Sequence, residues 1–238
     1  MADALSQMKR VKSFVDLLRS LPEMDQVFNP WRDYDEVNDA GPDAPSIRAD
    51  NLTRYLSQRT KSARLLLIAE AAGYRGCKFT GIAMTSERIL LGHLPAVSPD
   101  RVFAADKRAT SRLAKGFSEP TASIVWPHLC TLLPAQEFVL WNAFPCHPHR
   151  PGEPLSNRQP NRSELDRTAH LLEEFTRLFP VCKQIIAVGN VAEGALNEQW
   201  PRVRHPAFGG AVKFRTQIQD LIAKSSHSII SQAMTLAE

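Results

Sequence analysis

The apolar positions of this chain follow two patterns. Leu65-Leu66-Leu67-Ile68-Ala69 form an uninterrupted run between Arg64 and Glu70. A run that short, followed by small residues and Gly73, predicts a strand buried on both faces, as in a parallel sheet. Phe138-Val139-Leu140-Trp141, ended by Asn142, and Ile185-Ile186-Ala187-Val188, ended by Gly189-Asn190, repeat the pattern. Val203 marks a short fourth strand ahead of Arg204-His205-Pro206.

Between these runs the period becomes helical. Met8, Val11, Val15 and Leu18 share one face of an N-terminal helix. A Pro-, Asp- and Asn-rich connection runs from Pro22 to Pro45, and a second helix is expected from about Asp50 to Lys61. Thr121 to Leu133 reads as an apolar helix broken at Pro127. Ser163 is expected to cap a helix, with Glu164 and Asp166 in its first turn and Leu165, Ala169, Leu172 and Phe179 marking its buried face. A helix from about Val191 to Glu198 follows the third strand. Gly209-Gly210 precede a long helix with Phe214, Ile218, Leu221 and Ile222 inward, and the tail after Ser225 has room for another. The prolines at 145, 148, 151, 154 and 160 exclude helix and central strand from the stretch between Asn142 and Arg162. A loop so long in a compact domain is usually functional or disordered.

Helices alternating with four short apolar strands predict an α/β fold. The expected form is a three-layer α/β/α sandwich with a central four-stranded, mainly parallel sheet. Residues 49–238 are expected to make one domain, and residues 1–48 a helical leader packed on it without a core of its own. In open α/β sheets ligands sit at the carboxyl ends of the strands. Glu70, Asn142 and His205 stand at three such ends, so one cleft can hold an acid, an amide and an imidazole. Glu70 has a second reading, a carboxylate that braces loop amides.

Composition narrows the class. With 238 residues, 43% of them hydrophobic, the chain can bury a substantial core, which argues against wholesale disorder. No apolar run approaches the roughly 20 residues that span a bilayer. The N-terminus lacks the apolar centre and cleavage site of a signal peptide, so a cytoplasmic protein is expected. Cys77, Cys130, Cys146 and Cys182 are widely spaced with no C-x-x-C pair, which does not suit a disulfide framework. A net charge of +4 and a pI of about 9.0 permit a polyanionic partner without requiring one. The distribution says more: no acid lies between Gln199 and Gln219, whereas Arg202, Arg204, Lys213 and Arg215 do. Lys107, Arg108, Arg112 and Lys115 form a second basic run, a solvated helix face or a phosphate contact.

Over residues 62–223 the sequence resembles the uracil-DNA glycosylase superfamily, in its bacterial branch lacking the iron–sulfur ligands. Ala69-Glu70-Ala71-Ala72-Gly73 is similar to the first family motif, commonly GQDPY, GEAPG or GMNPG. Thr80-Gly81-Ile82-Ala83-Met84 is similar to T-G-x-P-F, Asn142 in LWNAFP to the strand-ending Asn that reads uracil, and His205-Pro206-Ala207 to the closing HPS motif. The resemblance implies a monomeric enzyme that hydrolyses the bond between uracil and deoxyribose in single- or double-stranded DNA. The product is abasic-site DNA, and no metal, organic cofactor or membrane is involved.

The reaction gives these residues physical roles. A base cannot be cut from its sugar inside a stacked duplex, so the nucleotide is extruded into a pocket. The Asn142 amide matches the O4 and N3–H edge of uracil, and cytosine offers the reverse pattern. His205 donates to O2 as negative charge develops there. Glu70 holds the attacking water or stabilises the sugar cation, with Glu87 as the competing acid. Backbone amides at Ala71 and Ala72 are placed to touch the base. Phe79 or Met84 stacks on it; Met84 holds the family's usual Phe position. In the PAFGG run Phe208 is implied as the wedge that fills the hole left by the flipped nucleotide. Gly209 lets the backbone approach phosphate, and Lys213 and Arg215 are phosphate candidates.

The chain also departs from the family. Ala71 replaces the Asp or Asn that contacts water in some branches, and Gly73 stands where the GQDPY branch has Tyr, leaving Tyr74 as a neighbouring alternative. Cys146 occupies the place of one iron–sulfur ligand, and Asn157-Arg158 is similar to the same branch, but the other three ligands are missing, so no cluster is implied. Cys146, His147 and His149 are too crowded in a Pro-rich loop to suggest zinc. Ala71 leaves open a lesion- or abasic-site-binding protein of the same fold with little turnover, and Gly73 a glycosylase for another damaged base.

Overall fold

The computed structural model describes residues 2–103 and 109–235, so Lys107 and Arg108 of the second basic run lie outside the described residues. In chain order the elements are α1 (Ala2–Arg19), β1 (Val27–Phe28), α2 (Ala44–Ser57), β2 (Leu65–Ala71), α3 (Cys77–Thr80), α4 (Glu87–Leu90), α5 (Pro120–Leu132), β3 (Phe138–Phe144), β4 (His147–Pro148), α6 (Arg162–Thr176), β5 (Gln184–Val188), α7 (Asn190–Ala195), β6 (Arg202–Val203) and α8 (Ala211–Thr235). The four apolar runs form one sheet in the order β3-β2-β5-β6, with every pair parallel. Helices flank this sheet, so the expected α/β architecture is the one found.

The side chains of β3 show how the layers form, because successive residues point to opposite faces. Trp141 stacks on Phe175 of α6 at 4.5 Å between centroids and also meets Phe14 of α1 and Trp31. Phe138, three residues earlier, meets Trp126 of α5 instead. The outer edge of β3 is covered as well. The Leu140 amide donates to Tyr55 Oη (2.8 Å), and Arg59 Nε donates to the Phe138 carbonyl (3.2 Å). Those groups would otherwise be a free pairing edge.

The leader shares the main core. Val11, Phe14, Val15, Leu18 and Trp31 belong to the same buried cluster as the sheet. Within the leader Arg48 pairs with Asp39 at 2.7 Å with both side chains fully buried, and Lys78 Nζ, beyond β2, joins the leader by bonding Asp35 at 2.5 Å. Trp31 Nε1 donates to the Gly81 carbonyl at 3.1 Å.

Several local expectations are corrected. Met8 is 39% exposed, and Phe14 takes its place on the buried face of α1. Helix α2 starts at Ala44, because Pro45 fits the first turn, where no N–H is needed. Helix α5 runs through Pro127; the buried face of Ala122, Val125, Trp126 and Leu129 outweighs one lost ladder bond. Asn161, not Ser163, caps α6 through a capping box in which Glu164 N donates to Asn161 Oδ1 (2.9 Å) and Asn161 N to Glu164 Oε2 (2.8 Å). That start turns Thr168, Leu171 and Phe175 inward and leaves Ala169 exposed. Helix α7 begins at Asn190 and ends at Ala195. The tail continues α8 to Thr235 without a break. Arg112 and Lys115 lie outside any helix, and both are exposed. The proline-rich stretch contains β4, paired antiparallel with β1. All four cysteines are free.

Candidate functional site

All four strands are parallel, so their carboxyl ends reach one edge of the sheet. There a cavity of about 580 Å³ is lined by Glu70, Ala71, Gly73, Met84, Asn142, His205 and Phe208, among others. Asn142 lies within edge strand β3, in register with Ala69. His205 follows β6 at the other edge, and Glu70 stands between them on β2.

Asn142 is 2% exposed, yet its side chain makes no hydrogen bond within the described residues. Its donor and acceptor are both unclaimed, which is uncommon for a buried amide. His205 is more constrained. The Ala207 amide donates to Nδ1 at 3.1 Å, so the neutral ring carries its proton on Nε2. Burial, together with the neighbouring Arg204, lowers its pKa and keeps it neutral at physiological pH. The loop beyond turns so tightly that a Cβ on Gly210 would lie 2.0 Å from the His205 carbonyl oxygen. Phe208 adopts φ 51° and is 99% exposed at the cavity mouth. A bulky aromatic with positive φ is a strained placement that functional sites often hold.

The two acids named from the sequence separate clearly. Glu70 is half-buried; burial raises its pKa, and a 3.3 Å hydrogen bond from Gln159 Nε2 lowers it in part. Glu87 is fully buried away from the cavity. Its carboxylate accepts from the amides of Thr110 (2.8 Å), Ser111 (2.9 Å) and Phe117 (3.0 Å) and from Ser111 Oγ (2.5 Å). That full complement of donors makes it a loop brace.

Of the two stacking candidates, Met84 lines the cavity, with φ 48°. Phe79 does not line it; its ring stacks on Phe117 at 4.6 Å, within the core. The Ala72 amide is also removed from the site, because it donates to the Cys146 carbonyl at 3.2 Å. Lys213 and Arg215 are exposed on α8, outside the cavity lining, whereas Arg75, Arg158 and Arg204 line it. Arg158 is locked by a bidentate pair with Glu164 (2.6 and 2.8 Å), which orders the segment carrying Gln159.

One lining residue was not singled out in the sequence. Glu119, at the N-cap of α5, has a carboxyl oxygen, Oε2, that is buried and without a partner. Burial alone raises its pKa to about 7. Before a helix it reads as an ordinary acid favoured by the helix dipole, so no sequence signal distinguishes it. Among the described residues no group of three or more His, Cys, Asp or Glu could hold a metal ion.

No family model matches the chain, and no curated protein matches it in sequence. Among solved structures, wild-type Pedobacter heparinus SMUG2 is similar, with a TM-score of 0.56 and 13% identity, over 96% of this chain and 98% of that chain. No described helix is long and apolar enough to cross a membrane. At that identity the likeness is one of architecture, and it extends over nearly the whole length: this chain has the fold of SMUG2.

Proposed function

We propose that the protein is a monomeric uracil-DNA glycosylase. One observation carries the reading: an unpaired Asn142 amide and an Nε2-protonated His205 face the same cavity from opposite edges of the sheet, with Glu70 between them. The fold shared with SMUG2 supports a DNA glycosylase of this superfamily.

In this reading the DNA presents a flipped uracil, and exposed Phe208 fills the vacated stack. Asn142 Oδ1 accepts from N3–H, and Nδ2 donates to O4. As the C1′–N1 bond breaks, its electron pair passes into the pyrimidine, and His205 Nε2–H donates to the O2 oxygen where charge accumulates. The Glu70 carboxylate stabilises the positive sugar. Water then adds its oxygen to C1′ and loses a proton to Glu70 or solvent, leaving an abasic site. Met84 packs on the base face.

The test is single-turnover release of free uracil from a labelled oligonucleotide. Wild type should release it, and Asn142→Asp should lose most of that rate while gaining measurable cytosine release. Unchanged uracil release by the variant would remove Asn142 from base reading. A second reading, a lesion- or abasic-site-binding protein, is favoured by Ala71, which lines the cavity without a polar group to hold water. Tight binding of abasic DNA with no uracil release would select it.

A further inference from the structure

We infer that Glu119 is a specificity-determining residue of this cavity, facing the C5 side of the bound pyrimidine and setting which substituent is accepted there. The inference rests on the glycosylase reading above.

Glu119 lines the same cavity as Asn142 and His205. Its Oε2 is enclosed and has no hydrogen-bond partner. A buried unpaired oxygen weakens the free protein, and such groups are retained where a ligand meets them. The surrounding loop leaves room for this carboxyl through its glycines. A Cβ on Gly76 would stand 2.3 Å from Oε2, and one on Gly73 3.6 Å from Oε1. Asn157 closes the same wall, its Oδ1 accepting from the Tyr74 amide at 3.1 Å.

Position supplies the edge. Asn142 stands on the β3 side of the cavity and His205 beyond β6. A pyrimidine read at N3–H and O4 by one and at O2 by the other has its C5–C6 edge left over. Gly73, Arg75 and Glu119 also line the cavity and are the groups assigned to that edge. A hydrogen at C5 fits beside the carboxyl. A methyl there would press on the carboxyl, which the enclosed Oε2 leaves little room to move. Burial lifts the Glu119 pKa to about 7, so at neutral pH and below a substantial fraction carries a proton that can be donated to O4.

The experiment compares wild type, Glu119→Ala and Glu119→Gln on oligonucleotides carrying uracil or thymine opposite guanine, with thermal melting of each protein. The readout is the ratio of thymine to uracil release. Glu119→Ala should raise that ratio about tenfold or more, the scale of one methyl group in a pocket. Glu119→Gln should keep the wild-type ratio. Both variants should melt at or above wild type, because an unpaired acid has been removed. An unchanged ratio in Glu119→Ala overturns the inference, as does a fall in melting temperature of both variants with no change in ratio. If wild type binds the uracil oligonucleotide without releasing base, the ratio of affinities replaces the ratio of rates. Wild type that neither binds nor releases uracil ends the glycosylase reading and this inference together, whereas an active wild type with an unchanged ratio ends only this one.

Discussion

Lys78 and Asp35 form a 2.5 Å ion pair that ties the N-terminal leader to the loop on which the cavity opens. Lys78 lies on α3, directly after the Gly73–Gly76 turn, and its side chain is fully buried. Burial lowers the Lys78 pKa while Asp35 opposes the shift. Burial also resists ionisation of Asp35, but hydrogen bonds from Lys78 and Asn38 prevail and hold its pKa below the ordinary value. Lys78 Nζ further reaches the Pro154 carbonyl at 3.3 Å, so one ammonium joins the leader, the first loop and the proline-rich segment.

Breaking this pair strands a buried charge. Lys78→Met should destabilise the protein by about 3 kcal/mol or more in urea unfolding. Lys78→Met combined with Asp35→Asn should recover part of that loss. A double variant as unstable as the sum of the two singles would show that the pair is not coupled.

The two acids should respond differently to loss of charge. Glu70→Gln should slow uracil release in single turnover while leaving melting and DNA binding near wild type, because Glu70 faces the cavity and bonds only Gln159 among the described residues. Glu87→Gln should lower the melting temperature, since an amide cannot accept from the donors at Thr110, Ser111 and Phe117 in the same geometry. A Glu87 variant that melts normally but excises slowly would move the chemistry to that residue.

His205→Ala should reduce single-turnover release by about 10²-fold, the usual loss for one charge-stabilising donor. Activity should hold through neutral pH and fall only in acid, below the ordinary histidine range, because burial and Arg204 depress the imidazole pKa and protonation would displace the Ala207 amide from Nδ1. Excision at a normal rate by the variant would exclude His205 from the mechanism.

Glu119 should leave a mark on stability against pH. Burial raises its pKa from 4.5 to about 7, so over that interval the folded protein holds a proton that the unfolded chain has released. The stabilising contribution of the neutral acid is complete below pH 4.5 and is lost as pH rises through 7. Glu119→Gln has no proton to lose. Its stability relative to wild type should therefore grow by up to roughly 3 kcal/mol between pH 4.5 and pH 8 in urea unfolding. Parallel pH profiles for the two proteins would rule out a raised Glu119 pKa.

The amino-acid sequence by itself determined the sheet and the edge that carries chemistry. Strands buried on both faces must be continuous apolar runs, and Leu65–Ala69, Phe138–Trp141 and Ile185–Val188 have few other ways to be buried. Parallel strands place their carboxyl ends together, so the sequence alone groups Glu70, Asn142 and His205. Tertiary structure decided what each polar group meets. Glu87 and Glu119 look alike in sequence, but one collects donors from Thr110, Ser111 and Phe117 while the other keeps an unpaired oxygen at the cavity wall. Phe79 on α3 and Met84 just beyond it lie five positions apart, and only the left-handed turn at Gly81, packed on the Arg48 backbone, and the stacking of Phe79 on Phe117 decide which reaches the cavity. The cap of α6 moved from Ser163 to Asn161 for the same kind of reason: a reciprocal hydrogen-bond pair needs Glu164 in the third position, and a propensity for Ser cannot supply it. Periodicity records which face of an element is buried, whereas hydrogen-bond partners distant in sequence are set only when the chain closes on itself.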